Sequence, residues 1–245
     1  MSTNQTAELK AGYALRNVGL RREIYQNTLF VLRCWITGKQ NEKGWIHSRT
    51  KRYIDVLFSI SALVLLLPLM AVIGIAIKLN SRGPVFFTQD RTGYMGRRFK
   101  MYKFRTMVDN AEDIKGNVKY MSHHALDSPD FKIKGDPRIT PFGLFLRKYS
   151  LDELPQIYNV LMGDMSLVGP RPTSFCVRTY KPDHLCRLAS RPGLTCIWQI
   201  SGRSNIDFDG RVELDRRYIE NQGPWQDLVI LFKTPFAVLK ADGAY

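Results

Sequence analysis

The sequence contains no Cys-x-x-Cys pair and no two histidines at zinc-ligand spacing. A structural zinc site is therefore not expected, and Cys34, Cys176, Cys186 and Cys196 read as reduced thiols of a cytosolic domain. Neither a Gly-x-x-x-x-Gly-Lys loop nor a Gly-x-Gly-x-x-Gly fingerprint is present, which argues against a standard nucleotide-binding fold. There is no internal repeat, no low-complexity linker and no second long apolar run. The one long apolar run starts too late for a cleavable signal peptide and lacks a small-residue cleavage site, so it is expected to stay in the mature protein. Acidic residues are scarce: 22 stand against 36 lysines and arginines, a formal net charge of +14. Such an imbalance suits nucleic acid, an anionic membrane surface or phosphate-bearing substrates.

What the chain does have is the uncharged run 56–77. As a straight helix it would reach roughly 33 Å, enough to cross a bilayer. Pro68 lies near its middle and removes a backbone donor there, so a bend or break is expected. Both flanks are basic, with Lys43, Arg49, Lys51 and Arg52 before the run and Lys78, Arg82 and Arg91 after it. Positive flanks tend to stay cytoplasmic. Equal claims from both sides favour a re-entrant hairpin, with arms about 15 to 18 Å deep. An ordinary spanning helix and a buried core helix are the alternatives.

Residues 1–20 are polar, and 24–36 read either as an interfacial helix or as a segment packed on the main domain. A turn at 81–84 leads to a strand at 85–89, glycines at 93 and 96, and a second strand at 99–107, together a small hairpin. Residues 108–135 are polar without period. From Pro141 the pattern turns helical, with Leu154, Ile157, Tyr158 and Leu161 on one face and Gly163-Asp164 ending that helix. A further helix is expected at 211–221. The apolar segment 224–239 is too short and too interrupted to span. It suits either the membrane interface, with Trp225 at headgroup level, or the core. The expected fold is α+β and mostly helical. It has an N-terminal extension (1–48), a re-entrant helix-break-helix membrane segment (49–82), and a cytosolic helical domain with a small hairpin and interfacial helices (83–245).

The most chemically suggestive stretch is Ser150-Leu151-Asp152-Glu153-Leu154-Pro155-Gln156. Ser150 and Glu153 match a capping box, which would place Asp152 in a helix first turn, where anions are favoured. An ordinary cap would look the same. Arg147 and Lys148 precede the pair, and Gly169-Pro170-Arg171-Pro172 follows it, a stiff turn that could hold a guanidinium against a phosphate or simply expose it to solvent. Gly202-Arg203-Ser204 presents another arginine. A carboxylate among several arginines is expected to stay ionised. It could then attack phosphorus, with the arginines and a magnesium ion screening the repulsion.

These residues, with Lys103-Phe104-Arg105-Thr106-Met107, Asp136-Pro137-Arg138, Gly163-Asp164-Met165-Ser166, Arg191-Pro192-Gly193 and Trp198-Gln199-Ile200-Ser201-Gly202-Arg203, occur in one order. The ordered set, covering about 50–245, resembles the bacterial sugar transferases, or monotopic phosphoglycosyl transferases, in their short form. The resemblance implies transfer of a sugar 1-phosphate from a UDP-sugar to undecaprenyl phosphate, on the cytoplasmic face of the bacterial inner membrane. It would start an exopolysaccharide, capsule or O-antigen repeat unit. It places the catalytic pair on Asp152 and Glu153, with Asp152 as nucleophile and magnesium ligand. Glu153 would orient Asp152 or assist with the metal. Substrate binding falls to Arg147, Arg171 and Arg203 with Pro170 and Pro172, and the membrane bend to Pro68. Leu67 stands where some relatives have serine. The 198–203 stretch favours glucose or galactose over an N-acetyl-aminosugar. Inner-membrane lipid is the expected surface, no nucleic acid partner is expected, and a homo-oligomer is left open. The competing readings are a membrane-tethered nucleic-acid-binding protein and a catalytically silent scaffold. The acidic pair between arginines weighs against both.

Overall fold

The computed structural model describes residues 44–109, 111, 135–202 and 206–240. The expected 24–36 helix, most of the polar stretch 108–135 and Arg203 lie outside the described residues.

The apolar run forms helix α1, Arg49–Asn80, started by the Ser48 hydroxyl, which accepts from the Lys51 amide. Pro68 lies inside it without interrupting it. The expected helix-break-helix is thus one hydrogen-bonded element, because a proline removes one rung and leaves the turns on either side intact. Among the described residues it is the one helix long and apolar enough to cross a membrane. Its two ends are buried, at Lys51, Asp55 and Ser59 and again at Ile73 and Ile77. Between them, residues 60–72 carry no buried side chain, and Val64 and Leu65 stand 71% and 79% exposed.

A hairpin of β1 (Phe86–Thr92) and β2 (Arg98–Phe104) follows, slightly longer at its turn than expected. Gly96 turns it at φ 76°. The register pairs Phe87 with Lys103, Gln89 with Met101 and Arg91 with Phe99. Side chains alternate faces along a strand, so Arg91 and Lys103 share one face of the hairpin. Helix α2, Pro141–Lys148, starts at Thr140, whose hydroxyl accepts from the Gly143 amide. Proline suits the first helical position, where an amide would lack a partner.

The capping box does not form. Ser150 adopts a left-handed conformation, φ 55°, and makes no side-chain cap. Leu151–Glu153 is a single tight turn, and helix α3, Gln156–Met162, begins only after Pro155. Its buried face is also not the expected one: Gln156, Ile157, Asn159 and Val160 point inward, while Tyr158 is exposed. Asn159 explains the rotation. It accepts from the Tyr102 amide and donates to the Lys100 carbonyl, locking α3 to the unpaired edge of β2. Gly163, at φ 91°, ends α3 as expected.

A two-stranded parallel sheet, β3 (Ser166–Val168) with β4 (Gly193–Thr195), was not expected, since three residues show no alternation to read. Backbone meets backbone beside it. A Cβ on Gly169 would lie 2.4 Å from the Arg191 carbonyl oxygen, and one on Gly193 would lie 2.2 Å from the Gly169 nitrogen. Only glycines permit that approach.

The chain closes with α4 (Ile197–Ser201), α5 (Phe208–Glu220) and α6 (Pro224–Lys240). One core gathers Met101, Val160, Met165, Leu167, Tyr218 and Ile230. A second joins Ile73 and Ile77 of α1 to Phe104 and Leu146. Helix α6 buries Asp227 and Ile230 but leaves Trp225, Leu228, Phe232, Phe236 and Leu239 exposed at helical spacing. The segment 224–239 thus packs one face on the core, one of the two alternatives expected for it, and leaves its other face apolar and open.

Candidate active site

Asp152 lies in the tight turn between α2 and α3 and is 6% exposed. One ion-pair partner among the described residues reaches it: Lys103 Nζ, 3.5 Å from Oδ2. Glu153 is held far more firmly. Lys103 Nζ donates to its Oε1 at 2.8 Å, Arg171 Nη1 to its Oε2 at 3.0 Å, and Arg171 Nη2 also donates to Oε1. Arg147 projects from the last turn of α2, where its Nε donates to Thr106 Oγ1 at 2.9 Å. Its guanidinium acts electrostatically on Asp152.

The two carboxyls titrate in opposite directions. Burial pushes the Asp152 carboxyl above the ordinary aspartate range, against the pull of Lys103 and with the added repulsion of Glu153. Burial acts on Glu153 too, but Arg171 and Lys103 outweigh it and hold that carboxyl far below its usual range. The expected pull of nearby cations towards the charged form of Asp152 is present, from Lys103, Arg147 and Arg171, but burial outweighs it. The cations are largely committed to Glu153, and desolvation governs its neighbour.

Arg171 is not the solvent-exposed loop arginine that a Gly-Pro-Arg-Pro turn could have presented. Pro170 and Pro172 are buried on either side, and the Pro170 carbonyl accepts from the Gly193 amide. The Arg171 carbonyl accepts from Arg187 Nη2 at 2.8 Å, and its guanidinium lies 6.0 Å from the Trp198 ring centroid. Arg187 is anchored to Asp215 at 2.8 Å. Asp152, Glu153, Arg147, Arg171 and the two prolines therefore converge.

Residues 46–241 match the bacterial sugar transferase family. The chain belongs to that family. This bacterial sugar transferase is 44% identical over 198 residues to "Undecaprenyl-phosphate galactose phosphotransferase" of Salmonella typhimurium, covering 80% of the chain and 41% of the relative. It is 40% identical over 203 residues to "Exopolysaccharide production protein ExoY" of Rhizobium meliloti, covering 82% of the chain and 90% of the relative. A third relative, "Undecaprenyl-phosphate glucose phosphotransferase" of Komagataeibacter xylinus, is 38% identical over 196 residues, covering 75% of the chain and 35% of the relative. The chain thus spans about two fifths of the length of several curated relatives and nearly all of ExoY.

Two features of the sugar transferase went unassigned in the sequence. Lys103 was visible only as part of a motif; the alternation of β2 puts it on the face that meets the acidic pair. The second is a buried polar network at the start of α1. Lys51 Nζ lies 3.1 Å from Asp55 Oδ1 and 2.7 Å from Asp227 Oδ2. Asp55 accepts from Ser166 Oγ at 2.7 Å, and Asp227 accepts from Tyr218 OH at 2.9 Å and Trp45 Nε1 at 2.8 Å. It fastens α1, β3, α5 and α6 together.

No cluster of three potential metal ligands occurs among the described residues. Glu153 has both oxygens occupied by cations, which leaves Asp152 as the available carboxylate. Magnesium at phosphoryl-transfer sites is held by one or two carboxylates and by substrate phosphates rather than by an all-protein cage. The donor set fits such an ion arriving with its substrate.

Proposed function

We propose that this transferase moves a hexose 1-phosphate from a UDP-sugar to undecaprenyl phosphate through a covalent aspartyl intermediate. The observation that carries this reading is the division of labour between adjacent carboxyls: Glu153 is pinned by Lys103 and Arg171, while Asp152 has one longer contact. An Asp152 oxygen forms a bond to the sugar-bearing phosphorus. The bond from that phosphorus to the bridging oxygen breaks, and UMP leaves with the electron pair. A lipid phosphate oxygen then attacks the same phosphorus and expels Asp152, giving the sugar on a lipid diphosphate. Arg147 and Arg171 hold phosphate oxygens and offset their charge, so the anionic nucleophile can approach. Magnesium held by Asp152 and phosphate oxygens would supply further charge neutralisation. The buried prolines keep Arg171 in place.

Relatives named for galactose and glucose phosphotransfer support a hexose donor. One named "UDP-N-acetylgalactosamine-undecaprenyl-phosphate N-acetylgalactosaminephosphotransferase", of Aeromonas hydrophila, keeps the aminosugar as the alternative. The test is a UMP-release screen over UDP-glucose, UDP-galactose and UDP-N-acetylgalactosamine, with and without undecaprenyl phosphate. Release with a hexose donor is expected, together with a sugar-phosphoryl adduct by intact mass when lipid is withheld. UMP release from no UDP-sugar would refute the reading.

We further propose that α1 enters and leaves one leaflet of the inner membrane with the domain on the cytoplasmic face. Both of its buried ends pack on the same domain, and the exposed apolar stretch containing Pro68 lies between them. The open apolar face of α6 would rest in the interface. Single cysteines placed at Arg49 and at Arg82 should both react with an impermeant thiol reagent only from the cytoplasmic side. Labelling of position 82 from the opposite side would refute re-entry.

A further inference from the structure

We infer that Arg91 is a further phosphate-binding residue of this site and takes the phosphate that departs with the nucleotide. The inference rests on the phosphotransfer reading above. Arg91 lies on β1, on the hairpin face it shares with Lys103. Its guanidinium is mostly buried and is made by the fold into a cation without a counter-ion. Nη2 donates to Gln89 Oε1 at 2.5 Å, Nη1 reaches the Pro172 carbonyl at only 3.5 Å, and Nε is buried with no partner. No carboxylate comes within 4 Å of it among the described residues, whereas Arg171 and Lys103 both have Glu153. Four cations, Lys103, Arg147, Arg171 and Arg91, thus surround two carboxylates. A buried, unpaired guanidinium is costly unless something anionic completes it. Burial and the repulsion of Arg171 lower its proton affinity, to about 10, so it stays charged at neutral pH.

Position decides which phosphate. Lys103, which meets Asp152, pairs with Phe87, whereas Arg91 pairs with Phe99 further along the hairpin and reaches the Pro172 carbonyl beside Arg171. Arg171, itself bound to Glu153, thus links the surroundings of Arg91 to the acidic pair. A diphosphate whose sugar-bearing phosphorus meets Asp152 would extend its other phosphate past Arg171 to Arg91. A guanidinium with one nitrogen still lacking a partner keeps capacity for a charge-assisted phosphate contact.

The experiment uses the full chain in lipid nanodiscs. UMP affinity is measured by calorimetry, and KM is measured separately for the UDP-sugar and for undecaprenyl phosphate. Arg91→Gln should weaken UMP binding and raise the UDP-sugar KM by about tenfold, the loss of one charge-assisted contact. The KM for undecaprenyl phosphate should stay within about twofold, because the leaving phosphate is absent from the second half-reaction. Unchanged UMP affinity, or equal weakening towards the lipid phosphate, would overturn the inference. If Arg91→Gln fails to fold, Arg91→Lys carries the test. It keeps the charge but loses the fork, so UMP should bind severalfold more weakly, and unchanged binding would overturn the inference. Wild-type chain that neither binds UMP nor releases it would instead overturn the phosphotransfer reading itself.

Discussion

Asp152→Asn should abolish UMP release, by at least about 10³-fold, and should eliminate the covalent adduct in intact mass spectra. The amide keeps the shape of the side chain but offers no anionic oxygen to phosphorus. Folding should survive, because the substitution removes a carboxyl whose burial already disfavours its charged form. Lys103 keeps its shorter bond to Glu153, at 2.8 Å, so the cation cluster should hold. Unfolding temperature is therefore expected to match or exceed that of the wild type, which separates lost chemistry from lost structure. Normal turnover by this variant would remove Asp152 from the mechanism. Wild-type kinetics should be ping-pong, with UMP leaving before undecaprenyl phosphate reacts. Strictly sequential kinetics with no trappable adduct would point to direct transfer between the substrates.

Asp227→Ala should produce the largest loss of stability, about 3 to 5 kcal/mol, the cost typical of breaking a buried charge pair from one side. Asp227 is 5% exposed and answers three groups at once: the Lys51 ammonium, the Tyr218 hydroxyl and the Trp45 indole. Without it, Lys51 keeps only Asp55, and the Trp45 donor loses its acceptor. For a chain of this size the loss corresponds to a fall of roughly 6 to 20 °C in melting temperature. The comparison is Arg217→Ala, which removes an exposed pair with Glu213 at 3.3 Å and should shift melting by no more than a degree or two. Equal melting of the two variants would show that the network contributes no more than a surface pair.

Local chemistry was legible in the sequence. Asp152 and Glu153, the arginines flanking them, the hairpin and the glycine ending α3 are each written in a few adjacent residues. What stayed hidden was pairing across the chain. Nothing near Glu153 says that its partners are Arg171, 18 residues later, and Lys103, 50 residues earlier. The capping-box pattern was a local signal that these distant cations overrode. Lys51 was read as a flanking charge at a membrane edge, the usual place for it, yet it is buried against Asp55 and Asp227. Asp227 looked like an interruption of an apolar segment and is in fact its inward-facing polar contact. The buried polar face of α3 defeated a reading based on hydrophobic period, because Asn159 is held there by backbone groups of β2.

The two buried ends of α1 make this long apolar helix part of the wall of the domain. Ile73 and Ile77 cover Phe104 and Leu146, and Lys51 completes the charge network at the other end. A water-soluble version made by trimming the chain to residue 83 would bare that apolar seam and strand Asp227. Solubilisation would instead require redesigning the outward side chains of residues 60–72 while keeping both docked turns.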